Sequence, residues 1–136
     1  LRGARTRCAP PLTLAMITEI EKEFRFESAH RLPNVPADHK CSRIHGHSFR
    51  VTVRVRGELD PKLGWVCDFA ELSRAWEPLH EALDHRLLND VPGLENPTSE
   101  ILAAYIATRL RVPAPASLHS VTVHETCTSR CTVYVG

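Results

Sequence analysis

Between Ile17 and His30 apolar and polar residues alternate, with Ile20, Phe24, Phe26 and Ser28 on one side and Glu19, Glu21, Glu23, Arg25 and Glu27 on the other. A period of two is the mark of a strand with one face in the core and one in water. Because side chains i and i+2 share a face, His30 continues the row of Phe24 and Phe26 at the strand's C-terminal end. The stretch His47 to Glu58 alternates more cleanly still, with Phe49, Val51, Val53 and Val55 against Ser48, Arg50, Thr52, Arg54 and Arg56. Followed backwards, its apolar row reaches His47 and then His45. If the two strands pair antiparallel through the loop RLPNVPADHKCSRI, the end of the first lies beside the start of the second. Three histidines then meet at one end of the core face, with Cys41 on the loop above them.

The spacing changes after that. Asp68 to Leu83 predicts a helix, opened by an Asp68-x-x-Glu71 capping box and carrying Phe69, Leu72, Trp76, Leu79 and Leu83 on one stripe. Pro78 is expected to kink it. A second helix starts near NPTSE, where Asn96 or Thr98 can cap and Pro97 suits the first turn; Leu102, Tyr105, Ile106 and Leu110 form its apolar stripe. Leu118 to Cys127 predicts a third strand and Cys131 to Val135 a fourth, with Thr128, Ser129 and Arg130 turning between them. The third strand's apolar row runs Val121, Val123 and then Glu125, and a carboxylate on the core side costs free energy unless something pairs with it. Strand, strand, helix, helix, strand, strand is an α+β arrangement of helices on an antiparallel sheet.

A chain of 136 residues suffices for one domain with an apolar core and not for a second independent one. Lys and Arg number 17 against 16 Asp and Glu, a formal net charge of +1, and no basic run stands out. That argues against nucleic acid or an anionic membrane as partner. No apolar run is long enough to cross a bilayer, and five cysteines, an odd number, read as reduced thiols in the cytoplasm. Residues 1–15, LRGARTRCAPPLTLA, carry three arginines and no acid, as a transit peptide would, but Pro10 and Pro11 break any amphipathic helix. The expectation is a dispensable extension that includes Cys8, followed by a single domain over 16–136.

The 8 histidines are many for this length and point to metal chemistry. A lone His-x-His is weak, but strand geometry independently adds His30. Three imidazoles with one position open describe a catalytic zinc site, since structural zinc fills all four positions with protein ligands. The competing arrangement is a structural zinc module closed by Cys41, His45, Cys127 and Cys131, which leaves His30 and His47 unexplained. Cys67 is expected to be a small buried residue, and His39, His80, His119 and His124 to have ordinary exposed roles. For Asp84 and His85 the residues by themselves suggest a helix end and its dipole partner.

Six blocks, ESAHRLP, KCSRIHGHSF, GWVCDFAEL, LDHRLLND, PGLENPTSE and HETC, occur in the order found in the 6-pyruvoyltetrahydropterin synthase family. The chain resembles that family from about Glu23 to its C-terminus. The three-residue gap between Cys41 and His45 resembles its 6-carboxy-5,6,7,8-tetrahydropterin synthase branch, since the pyruvoyl branch generally has a longer one.

The resemblance implies the tunnelling fold (T-fold), a four-stranded antiparallel sheet with two helices packed on one face. In that fold sheets of several protomers join into a barrel, commonly a hexamer, with active sites between subunits. It implies one zinc ion per subunit on His30, His45 and His47. The implied substrate is 7,8-dihydroneopterin triphosphate, which loses triphosphate and acetaldehyde to leave 6-carboxytetrahydropterin for queuosine synthesis. The alternative within the family eliminates triphosphate and keeps the three-carbon side chain.

In that reading Cys41 is the proton carrier, as a thiol lowered in pKa by a nearby dication, and Asp84 and His85 relay protons. Glu125 accepts the pterin's 2-amino group and neighbouring ring N–H together and joins the relay, or else pairs with a basic side chain. Thr98 and Ser99 add hydrogen bonds to the ring or simply cap their helix. Lys40, Arg43 and Arg31 flank the ligands and either meet the triphosphate or remain solvated.

Overall fold

The computed structural model describes residues 16–136; the expected extension over 1–15, with Cys8, lies outside the described residues. Its elements are β1 (Thr18–His30), β2 (His45–Gly57), α1 (Phe69–Leu83), α2 (Ser99–Arg109), β3 (Ser117–His124) and β4 (Arg130–Tyr134), with short 3-10 turns at Lys40–Ser42 and Leu88–Asp90. The strands form one antiparallel sheet in the order β1-β2-β3-β4. Both helices lie on one face, α1 against β1 and α2 against β3 and β4. This is the α+β layer that the periodicity predicts.

β1 and β2 pair without interruption from Thr18 opposite Gly57 to His30 opposite His45. On the core face Phe24 meets Val51 and Phe26 meets Phe49, the two rings of the latter pair stacked with centroids 5.0 Å apart. Trp76 of α1 stacks on Phe24 at 4.8 Å. Phe49, Val51, Val53, Leu72, Leu83, Leu102 and Ile106 are buried completely or nearly so. Burying such a side chain contributes about 1.5–3 kcal/mol, and it is this packing that holds the histidine end of the ladder in register.

α1 opens at the expected cap, with the Asp68 carboxylate accepting the Ala70 N–H at 2.9 Å, while the Glu71 N–H goes to the Asp68 backbone carbonyl rather than closing the expected capping box. It runs through Pro78 as one helix, because Trp76 on one side and Leu79 and Leu83 on the other are all buried against the sheet. α2 is capped by Thr98, whose side chain accepts the Ile101 N–H. Pro97 therefore sits before the cap rather than in the first turn, which leaves its carbonyl free to face the sheet. Tyr105, expected on the buried stripe, is only half-buried and lies beneath the Arg109 guanidinium, 3.6 Å from the ring centroid. β3 is shorter than its apolar row suggests. The N–H groups of Glu125 and Thr126 both turn to the Ser129 carbonyl, so the strand ends at His124 and Glu125 lies in the turn to β4.

The other sheet face is polar and internally paired. Arg54 bridges Glu21 at 3.0 Å and the Thr122 hydroxyl at 2.7 Å, Arg56 meets Glu19 at 2.9 Å, and Arg50 meets Glu23 at 3.2 Å. His124 is held between Arg50 and Thr52, 3.2 Å and 3.1 Å from its two ring nitrogens. Along the outer edge of β1 the segment Asp84–Asn89 supplies partners for Glu27, Ala29 and Arg31. The Glu27 N–H donates to the Asp84 carboxylate, Ala29 N–H to the Arg86 carbonyl, and Asn89 bonds both backbone groups of Arg31. The C-terminal part of an otherwise open sheet edge is thus satisfied.

Candidate metal centre

The ladder delivers the three histidines to one place. His30 and His45 are opposite each other at its last rung, and His47 faces Ser28 one step in on the same side. His30 is fully buried, with Phe49 packed edge-on against its ring and close to the ring of His47. Each ring has its Nδ1 beside a backbone carbonyl: Pro97 O at 2.9 Å for His30, Arg43 O at 2.8 Å for His45, and Ser48 O at 2.9 Å for His47. A carbonyl only accepts, so each Nδ1 carries the hydrogen and each Nε2 of the neutral ring presents a lone pair. Carbonyls placed in this way fix the tautomer and orientation of imidazoles that bind metal.

The Nε2 atoms of His30 and His47 are buried and have no hydrogen-bond partner. Donor atoms of His30, His45, His47 and Glu125 all lie within 4.8 Å of one another. One Glu125 oxygen is 3.5 Å from His30 Nε2 and 3.8 Å from His47 Nε2, and the other accepts the Ser99 hydroxyl at 2.7 Å. Contact with His30, effective when that ring also carries a proton on Nε2, and then the Ser99 bond against opposing desolvation hold the Glu125 carboxyl down to about 2. Converging lone pairs and a carboxylate call for a cation at their centre, and nitrogen and oxygen donors in this number suit zinc. Among the described residues Cys41, His45, Cys127 and Cys131 do not form such a group, so the structural-zinc arrangement has no counterpart there.

The sequence puts Glu125 on the core row of a strand and does not give its distance from the imidazoles. The structure puts it in the turn, where its carboxylate adds a fourth donor to the imidazoles. Nothing in the spacing signals this, because it depends on where β3 stops.

Cys41 is half-buried on the 3-10 turn and lines a hollow of about 590 Å³ together with Lys40, His45, His47 and Glu125. Arg43 and Arg31 do not line that hollow. Asp84 ends α1, and its carboxylate accepts Glu27 N–H and the His85 Nδ1–H at 2.7 Å. Those two bonds, the Glu27 one first, lower its pKa. His85 has a left-handed backbone, φ 53°, and its ring is largely exposed. It lines a second hollow with Glu27, Gly46 and His47, the last of which also borders that of Cys41. The chain thus brings the three histidines, Glu125, Ser99 and Cys41 to one end of the sheet, and puts Asp84 and His85 around the edge strand. Thr98 is occupied as a helix cap. Cys67 is buried, as expected, and desolvation raises its thiol pKa.

Residues 19–135 match the family model described as 6-pyruvoyl tetrahydropterin synthase. The chain belongs to this family. Among members of the 6-pyruvoyl tetrahydropterin synthase family, a Synechocystis protein named 6-carboxy-5,6,7,8-tetrahydropterin synthase is 48% identical over 115 residues, 81% of this chain and 88% of the relative. The human 6-pyruvoyl tetrahydrobiopterin synthase is 33% identical over 133 residues, 87% of this chain and 91% of its own. The solved 6-pyruvoyl tetrahydropterin synthase of Caenorhabditis elegans superposes with a TM-score of 0.81 at 32% identity, covering 89% of this chain and 97% of that one. The family's T-fold is therefore the fold of this chain, and the chain is an enzyme of that family acting on a pterin. Among the described residues no helix is long and apolar enough to cross a membrane.

Proposed function

We propose that the protein is a zinc-dependent lyase that converts 7,8-dihydroneopterin triphosphate to 6-carboxy-5,6,7,8-tetrahydropterin, releasing acetaldehyde and triphosphate, in the cytoplasmic synthesis of queuosine. The observation that carries this reading is the convergence of three imidazole Nε2 atoms whose Nδ1 atoms are all committed to carbonyls, beside a thiol in an open hollow. The similarity to the Synechocystis relative and the short gap between Cys41 and His45 favour the carboxy product over the pyruvoyl one.

The substrate's side-chain carbon next to the ring is oxidised to a carboxylate while the ring's C=N bond is reduced, so water is the one co-reactant. Zinc on His30, His45 and His47, one ion per subunit, would supply Lewis-acid polarisation of the side-chain oxygens. Cys41 accepts and returns carbon-bound protons from across the hollow. Asp84 holds His85 by its Nδ1–H, so the opposite ring nitrogen exchanges protons with solvent or substrate. His85 and Cys41 border different hollows that share His47, and in the homohexamer we propose, a neighbouring copy completes the relay. Glu125, about a third exposed and steadied by Ser99, has lone pairs left for the pterin's paired N–H donors.

The test is to incubate zinc-loaded protein with dihydroneopterin triphosphate and identify products by mass. Acetaldehyde with 6-carboxytetrahydropterin is expected. A three-carbon pyruvoyl product without acetaldehyde rejects the carboxy assignment, and no zinc-dependent turnover rejects the enzyme assignment altogether.

A further inference from the structure

His39 has no part in the metal cluster, and from the sequence it is one more exposed histidine. In the structure it caps the 3-10 turn at Lys40–Ser42, with an extended backbone and its Nδ1 accepting the Cys41 N–H at 3.0 Å. Accepting at Nδ1 requires the hydrogen on Nε2, the opposite tautomer from that of His30, His45 and His47. The other backbone group of Cys41, its carbonyl, accepts the Leu32 N–H at 2.7 Å. Both polar handles of the residue are therefore held, one by a side chain and one by backbone. The cap itself is braced, since His39 N–H donates to Pro36 O at 2.8 Å and Ser42 N–H to His39 O at 3.0 Å.

This turn has no buried residue to hold it by packing, so its hydrogen bonds set its geometry. Cap positions are usually filled by short oxygen acceptors, and loss of such a cap loosens the first turn behind it. Here the loosened residue would be the one whose sulfur must reach a carbon-bound proton. We propose that His39 is a positioning residue for Cys41, its Nδ1 fixing the backbone so that the thiol stays at the hollow it shares with His45, His47 and Glu125. The inference rests on Cys41 as the proton carrier, as given under the proposed function.

The experiment compares the zinc-loaded full chain with its H39A and H39N variants, reading kcat and KM, zinc content, amide exchange at Cys41 and alkylation of Cys41 by iodoacetamide, followed on the Cys41 peptide. For H39A we expect kcat lower by about tenfold or more, because small misplacements of a reacting group are costly, with KM and zinc content unchanged. The Cys41 amide should exchange faster, while amides in β1 and β2 do not change. A carboxamide oxygen can accept the same N–H, so H39N should restore both kcat and protection. Imidazole ¹⁵N shifts should show His39 with its hydrogen on Nε2. Wild-type kcat and wild-type Cys41 exchange in H39A overturn the proposal, as does a uniform loss of protection across the sheet. If the wild-type protein does not turn over the triphosphate, the catalytic reading falls; altered exchange and alkylation confined to Cys41 then still support positioning by His39, and their absence sinks it.

Discussion

On the polar face of the sheet His124 has a partner at each ring nitrogen, Arg50 at one and Thr52 at the other, whereas on the core face His30 and His47 have a carbonyl at Nδ1 and no hydrogen-bond partner at Nε2. The guanidinium only donates, so His124 accepts at Nδ1 and stays neutral; burial first, and then Arg50, lower its pKa. Its ring is spent on structure. A buried nitrogen left without a partner costs about 1–3 kcal/mol, and the core face tolerates two of them side by side. The difference separates histidines that finish a network from histidines that wait for a ligand, although both kinds alternate along strands of the same sheet.

The largest effect should come from breaking the core-face cluster. In His30→Ala, bound zinc measured by atomic emission should fall by more than about tenfold, and turnover with it, whereas His124→Gln should keep its zinc. Equal losses in the two variants would erase the distinction between the faces. Next comes a residue on the same side that is not a ligand. Cys41→Ala should lose on the order of 10²–10⁴ in kcat, the usual weight of a general acid–base group, with one zinc per chain retained.

Glu125 sharpens the contrast through pH. Its folded pKa, about 2, lies below its ordinary value of 4.5, so the stability it contributes is present above 4.5 and is lost as pH falls towards 2. For metal-free protein, the melting-temperature gap between wild type and Glu125→Gln should be full at pH 5 and close as pH falls over that window. A gap independent of pH contradicts this. Glu125→Gln should also keep its zinc, since the three imidazoles suffice; loss of zinc would make the carboxylate a fourth ligand. The smallest effect belongs to the polar face. Glu21→Gln breaks one exposed ion pair with Arg54 and should shift unfolding free energy by less than about 1 kcal/mol, with zinc content unaltered.

The period-two rows of β1 and β2 were legible because a strand has two sides and one of them is buried, and the alignment of His30 with His45 and His47 follows from that alone. The helices were legible from their apolar stripes and from Asp68 and Thr98. Glu125 was legible as an anomaly on an apolar row but not as a neighbour of the imidazoles, because the strand's end depends on two N–H groups sharing the Ser129 carbonyl. The Nδ1 acceptors were hidden for a related reason. They are backbone oxygens of Pro97, Arg43 and Ser48, and a carbonyl has no signature in a sequence. The role of His39 was hidden because its cap is a property of one ring's orientation. The place of Asp84 and His85 beside Glu27 follows from the segment that wraps the edge of β1, which residue spacing does not encode.

The pairing of His30 with His45 on the final rung of β1 and β2 has a kinetic consequence. Strand ends fray first, and here the two strands part just beyond the histidines that could hold an ion. A cation held by both strands would work as a rivet against that fraying, released most easily when the ends open. Ion exchange and backbone deuteration at Ala29 and Gly46 should therefore slow together on cooling, with a common activation enthalpy.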